Sequence, residues 1–428
     1  MFDIIVIGGG PGGSASAALL AQKGYSVLLL ERERFPRFQI GESLLPYNNE
    51  LFKRLGVWDQ LKQGDYIPKF GATFVTGDGD VGYSFSFKRN LPEKLSQSFQ
   101  VKRSEFDHLL LKNAAREGVD VREEVRVVDV DLSRPIVRIR AVENGATVEF
   151  ESRFVVDASG HGSVIGSRYG EKRDEKSLEK ISFFAHFKGV KPLGKGDDAG
   201  NTVIVILKNA WFWLIPVSEE VTSVGLVVDR EHFKTCGLQP EHLLHQTIAS
   251  SPYVASLMGH AKQTTQIFAR KDFSYRMNNI VGQNFALVGD AAGFIDPIFS
   301  TGVFMAMKSA EIASDAVGEL LSRGTMRPLR AYERRFQSAM TRYFGFISNF
   351  YRREFLEVFL QPHERLGLIK VVVGVLAGNV FERTRDRWKL ALFFLLVLIQ
   401  KRGLIAPRIS WDTLPSAAKA MISEETFV

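Results

Sequence analysis

Within its first thirteen residues the chain sets Gly8, Gly10 and Gly13 between a short apolar strand and an alanine-rich helix. No other feature restricts the fold as much. Asp3–Ile7 reads as a buried strand, Ser14–Gln22 as a helix and Val27–Leu30 as a second buried strand, which together make a βαβ unit. Glycines at this spacing allow a tight turn and close backbone approach to a pyrophosphate, whose charge the helix N-terminus favours. Pro11 suits the first helical turn, and acidic Glu31, ending the second strand, is placed to hold ribose hydroxyls. Gly77, Gly79 and Gly82 repeat the same spacing, but Asp78 and Asp80 would repel phosphate, so that match reads as a hairpin turn between alternating strands over 70–87.

The remaining sequence suits an ordinary globular enzyme: 428 residues, 45% hydrophobic and 24% charged. Cys236 is the sole cysteine, which excludes an intrachain disulfide and fits a reducing, cytoplasmic setting. The eight histidines show no metal-ligand spacing, so no metal is expected, and His242 and His245 read as a solvated helix face. The net charge of +7 is distributed along the chain and gives no reason to expect nucleic acid. A strand beginning at Asp3 with no basic segment before it argues against a signal peptide. The longest apolar run, Leu390–Ile399, is too short to span a bilayer alone.

A helix is expected over Ser104–Glu117 with Ser104 as N-cap, several antiparallel strands over Ile181–Val228, a buried strand over Phe285–Val288 and a long helix over Gly302–Leu321. The expected fold class is therefore α/β. A discontinuous Rossmann-like nucleotide-binding domain (1–75, 100–175 and 270–330) carries an inserted, mostly antiparallel β-sheet substrate domain (76–99 and 176–269). A C-terminal helical region (331–428) covers the substrate site.

Three further segments identify the dinucleotide. Val155–Gly160, Phe285–Ala292 and Arg103 ahead of Phe106-Asp107 resemble the remaining FAD fingerprints of the flavoprotein monooxygenase clan, where the acid at the Asp290 position binds the ribityl chain. The segment Trp211-Phe212-Trp213-Leu214-Ile215-Pro216 puts two indoles on one face of a strand. Its Trp-x-Trp-x-Ile-Pro pattern resembles the signature of flavin-dependent halogenases. Two other segments agree with it: Gly41-Glu42-Ser43-Leu44-Leu45-Pro46, and Phe294–Gly302 spaced Phe-x-x-Pro-x-x-Ser-x-Gly. The resemblance covers about residues 1 to 330.

That resemblance implies a fold of the glutathione-reductase-like FAD type, with Gly8, Gly10, Pro11, Gly13, Glu31, Arg32, Ser43, Arg103, Asp290, Pro297 and Gly302 at the cofactor. It implies that FADH2 and O2 oxidise chloride or bromide, held by the Thr301 and Gly302 amides, to hypohalous acid. The acid then travels to Lys69, with Ser300 as the lysine's hydrogen-bonding neighbour and Trp211 and Trp213 as a partition between flavin and substrate. A lysine in this role has to be partly buried, with a lowered pKa. Tryptophan halogenases carry a glutamate where this chain has Phe299, so a phenol or pyrrole, free or bound to a carrier protein, is the expected substrate, and a separate flavin reductase the expected partner. The competing reading keeps FAD but makes the chain a hydroxylase or a geranylgeranyl-reductase-like ene-reductase. The basic residues flanking Leu390–Ile399 suggest a buried helix with snorkelling ends over the substrate site, with contact to an anionic membrane as the weaker reading.

Overall fold

The computed structural model describes all residues except 363–366, 382–386, 412–414 and 418–428. Two sheets organise it. The first is seven-stranded and parallel at its centre. Strand Phe2–Ile7 pairs with Val27–Leu30 on one side and with the second half of the long strand Ala146–Asp157 on the other, and Asp120–Arg122 and Phe285–Leu287 extend the parallel set. The central strands are buried on both faces, as continuous runs such as Ile4-Ile5-Val6 require. Helix Pro11–Ala21 packs closely because a Cβ at Gly13 would lie 1.8 Å from the Gly8 carbonyl oxygen.

The second sheet has nine strands, antiparallel except where Thr202–Ile206 runs parallel to Gly71–Thr76. Period-two alternation divides its side chains between two cores. Ile204, Trp211, Trp213, Ile215 and Phe184 face the cofactor-binding layer, while Phe212, Leu214, Val203, Val205 and Leu226 face helices Pro240–Ser250 and Pro252–Met258. His242 and His245 are exposed on the first of these helices, as expected.

The boundary between the sheets differs from the sequence reading. Strand Gly71–Thr76 belongs to the second sheet, as do Lys172–Lys188 from its first residue, Phe268–Met277 and Gly293–Phe294. The change falls at Gly71, where a Cβ would sit 1.9 Å from the Phe85 carbonyl oxygen, so the hairpin starts at that close approach. The helix expected from Ser104 runs Arg103–Arg116, and its N-cap residue Lys102 offers no side-chain cap. The described C-terminal region is helical, with Arg327–Phe350, Arg353–Leu360, Leu368–Leu376 and Arg387–Gln400, and its first helix begins before residue 330.

Candidate active site

A cavity of about 720 Å³ lies between the sheets. At one end are Gly8, Gly10, Pro11, Glu31 and Arg32; at the other are Ser43, Trp211, Trp213, Pro297, Ser300 and Gly302. Gly8 has φ +99°, which lets the chain turn out of the strand. Bare backbone faces the cavity at two points: a Cβ at Gly10 would meet only Arg37 at 3.6 Å, and one at Gly302 would meet nothing within 4 Å. Glu31 is buried, and its carboxylate accepts from the Gly9 and Glu33 amides at 2.6 and 2.8 Å, which fixes it at the turn.

Asp290 lines the cavity, and its carboxyl is 3.4 Å from Nδ1 of His161. Although 29% of its side chain is reachable through the cavity, the surrounding protein withdraws it from bulk water and pushes its pKa up, against the pull of His161, Arg103 and Arg270. Arg103 is mostly engaged with the protein itself. Its guanidinium forks onto Asp107 at 2.7 and 2.9 Å and donates to the Ile40 carbonyl at 2.6 Å, so it holds the 37–41 loop against the cavity. The cradle has the form a dinucleotide needs: glycine backbone at a helix N-terminus, an acid at each of two strand ends and an apolar far wall.

Lys69 lies at the end of the short strand Ile67–Lys69 and is 2% exposed. Its Nζ donates to Ser43 Oγ at 2.7 Å and to the Leu44 carbonyl at 3.2 Å, and sits 5.7 Å from the Phe87 ring centre. Burial without a countercharge lowers its pKa to about 7. The lysine borders a second, much smaller cavity of about 20 Å³, whose apolar lining includes Leu45, Phe74, Phe85, Phe87, Phe299 and Leu376. Thr202, Ile204 and Ser300 line both cavities.

These positions revise two expectations. Ser300 is not a partner of the lysine amine; Ser43 is, and Ser43 also hydrogen-bonds Thr202 at 2.9 Å while facing the large cavity. Ser300 instead adopts φ +56° at the N-cap of helix Thr301–Arg323 without capping it through its side chain. The two indoles share a face, their ring centres 6.0 Å apart, but they wall the large cavity only. What separates the cavities is Thr202, Ile204 and Ser300, because the strand carrying Thr202 and Ile204 lies between the tryptophan strand and Gly71–Thr76.

Three groups escaped the sequence reading. Trp211 Nε1 donates to the Tyr351 hydroxyl at 3.0 Å, and that hydroxyl donates to Asp296 Oδ2 at 2.7 Å. Asp296 is fully buried, which raises its pKa, while Tyr351, Lys180 and the Ile298 amide pull the other way. Glu42, also buried, pairs with His186 Nε2 at 2.7 Å. Trp213 fits flat against strand Val221–Asp229 because Gly225 lacks a side chain: a Cβ there would be 2.1 Å from the indole.

A Rossmann-like layer, a tryptophan-walled cofactor cavity and a buried lysine in an adjoining chamber define a class of flavoenzyme. The chain belongs to the flavin-dependent halogenase family. The family model described as tryptophan halogenase matches residues 3–93 and 88–355. The chain is 30% identical over 408 residues to the 1H-pyrrole-2-carbonyl-[peptidyl-carrier protein] chlorinase of Pseudomonas fluorescens, covering 89% of this chain and 91% of that one. It is 32% identical to the tryptophan 2-halogenase of Chondromyces crocatus, over 86% of this chain and 72% of that one. Among solved structures it resembles the flavin-dependent brominase Bmp2, with TM-score 0.84, 27% identity and coverage of 94% and 99%. It also resembles the myxobacterial chondrochloren halogenase CndH, with TM-score 0.78, 31% identity and coverage of 93% and 97%.

Proposed function

We propose that this halogenase uses FADH2 and O2 to oxidise chloride or bromide to hypohalous acid, and that Lys69 delivers the halogen to an electron-rich aromatic. The observation that carries this reading is the buried Lys69, its pKa lowered to about 7, in a chamber that shares a wall with the cofactor cavity. Reduced FAD with oxygen supplies the two-electron oxidation of halide. Gly8, Gly10, Pro11, Glu31 and Arg32 hold its nucleotide end, with Gly13, which lies off the cavity, serving by letting the helix pack on Gly8; Ser43, Arg103, Asp290, Pro297 and Gly302 hold the remainder. The Thr301 and Gly302 amides, at a helix N-terminus, bind the halide.

At neutral pH a large fraction of Lys69 is the free amine. Hypohalous acid and that amine give a haloamine and water; the N–halogen bond then breaks, the ring gains halogen, and the ring's proton returns to the nitrogen. The protonated fraction offers a second mode, donating a hydrogen bond to intact hypohalous acid. Beside Lys69 the described lining has Phe299 and no carboxylate, which favours a ring that activates itself, a phenol or a pyrrole. The similarity to carrier-dependent pyrrole halogenases supports a substrate tethered to a carrier protein. A separate flavin reductase supplies the reduced cofactor.

The decisive experiment gives Lys69→Ala reduced FAD, oxygen, bromide and a panel of phenols and pyrroles. Flavin reoxidation is expected to continue while brominated product disappears. Unchanged bromination would overturn the lysine's role, and a wild-type product carrying only oxygen would favour a hydroxylase.

A further inference from the structure

Helix Arg387–Gln400 breaks the rule for a surface helix. Its inner stripe is buried: Phe393 and Val397 are 3% and 4% exposed, with Phe393 stacked edge-on against Phe355 at 5.5 Å. The opposite stripe, Trp388, Ala391, Leu395 and Leu398, has helical spacing and faces out. Trp388, Leu395 and Leu398 are 56%, 49% and 57% exposed, and Leu404 just beyond is 69% exposed. A helix that is apolar all round is ordinarily covered on every side. Among the described residues nothing covers this face, so the sequence expectation of a buried helix is only half met.

Charge indicates what does cover it. Exposed Lys401, Arg402 and Arg408 follow the helix, and Lys389 lies beside Trp388 at its start. Both ends are therefore basic around an apolar middle. A second copy of the chain, paired in either direction, would bring basic end against basic end. An anionic bilayer accepts both: acyl chains meet the leucines, headgroups meet the cations, and Trp388 lies at the boundary. At 1.5 Å per residue the 14-residue helix is about 21 Å long, short of the roughly 30 Å of a bilayer core. Basic residues at both ends also require that it lie flat. No helix of the described residues is long and apolar enough to cross a membrane.

We propose that this face seats the enzyme on an anionic lipid surface. The helix packs on Arg353–Leu360 and Leu368–Leu376, which bring Phe359 onto Phe74 and Leu376 onto the lysine chamber. The helix that meets lipid thus packs on the back of the cap over Lys69.

The test sediments the full chain with vesicles of phosphatidylcholine alone and of phosphatidylcholine mixed with phosphatidylglycerol. Binding is expected only to the anionic vesicles, weakened about tenfold or more by L395Q/L398Q and, separately, by K401Q/R402Q. Because these side chains are exposed, melting temperature, FAD binding and halogenation of a soluble probe should stay at wild-type levels. Those readouts distinguish failure of docking from failure of the halogenase reading. Failure to bind either vesicle, or variants that bind as well as wild type, would overturn the proposal. So would a solution dimer that L395Q/L398Q separates, or an acidic carrier protein captured by this face in place of lipid.

Discussion

The indole N–H of Trp211 donates to the hydroxyl of Tyr351, 140 residues away in sequence, and that hydroxyl passes its own proton bond to Asp296. One phenol therefore joins the tryptophan strand, the Asp296–Gly302 turn and the end of helix Arg327–Phe350. Tyr351→Phe leaves the Trp211 N–H unpaired and removes a donor from a buried carboxyl. The expected loss is about 1–3 kcal/mol, read as a lower melting temperature; a wild-type melt would show that the relay contributes no stability.

Lys69 makes stability depend on pH. Its folded pKa, about 7, is below the unfolded value, so the unfolded chain binds more protons between pH 7 and the ordinary lysine range. The penalty is complete below about pH 7 and disappears as pH rises toward about 10. Lys69→Met should be the more stable protein at pH 6, by about 3 to 5 kcal/mol at most, with the gap closing by pH 10. Denaturant melts across that range measure it, and a gap independent of pH would contradict a buried, displaced amine.

The proposed delivery role of the same amine ties coupling to pH. Halogenated product per flavin oxidised should rise as pH passes through about 7 and the free amine accumulates. A flat yield with reoxidation unchanged would mean that the ammonium form suffices.

Ser43→Ala removes the shortest hydrogen bond to Lys69 Nζ, while Thr202 keeps Gln100 as a partner at 3.0 Å. We expect yield per flavin oxidised to fall about tenfold, with FAD affinity changed much less. A fall in FAD affinity alone would assign Ser43 to the cofactor only.

Gly302→Ala separates anion binding from folding. A Cβ there touches no protein atom, and alanine favours a helix over glycine by up to about 1 kcal/mol. The variant should melt at or above wild type yet show a raised KM for bromide. An unchanged KM would move the halide elsewhere.

How far the sequence could be read depends on range. The glycine turn and the two indoles are local: their periods place Gly8–Gly13 at a helix start and both tryptophans on one face, and both are found there. Lys69 is marked in the sequence by its place after the Gly-Glu-Ser segment, while its burial depends on Phe87, Ser43 and Leu44 folding over it. Thr202, Ile204 and Tyr351 carry no mark of their own, because their positions follow from which strands become neighbours and where a distant helix ends. Ser104 has the chemistry of a cap, yet the helix begins one residue earlier, where Arg103 is committed to Asp107 and the Ile40 carbonyl.

The 20 Å³ chamber at Lys69 has room for something about the size of a water molecule and none for an aromatic ring. Size therefore imposes a sequence in time. Hypohalous acid, one heavy atom larger than water, asks the chamber wall to give only slightly, whereas the ring has to push Phe74, Phe87 or Leu376 well aside. Under the mechanism proposed above, the closed enzyme would work like an airlock, charged from the flavin side first and opened to its substrate afterwards.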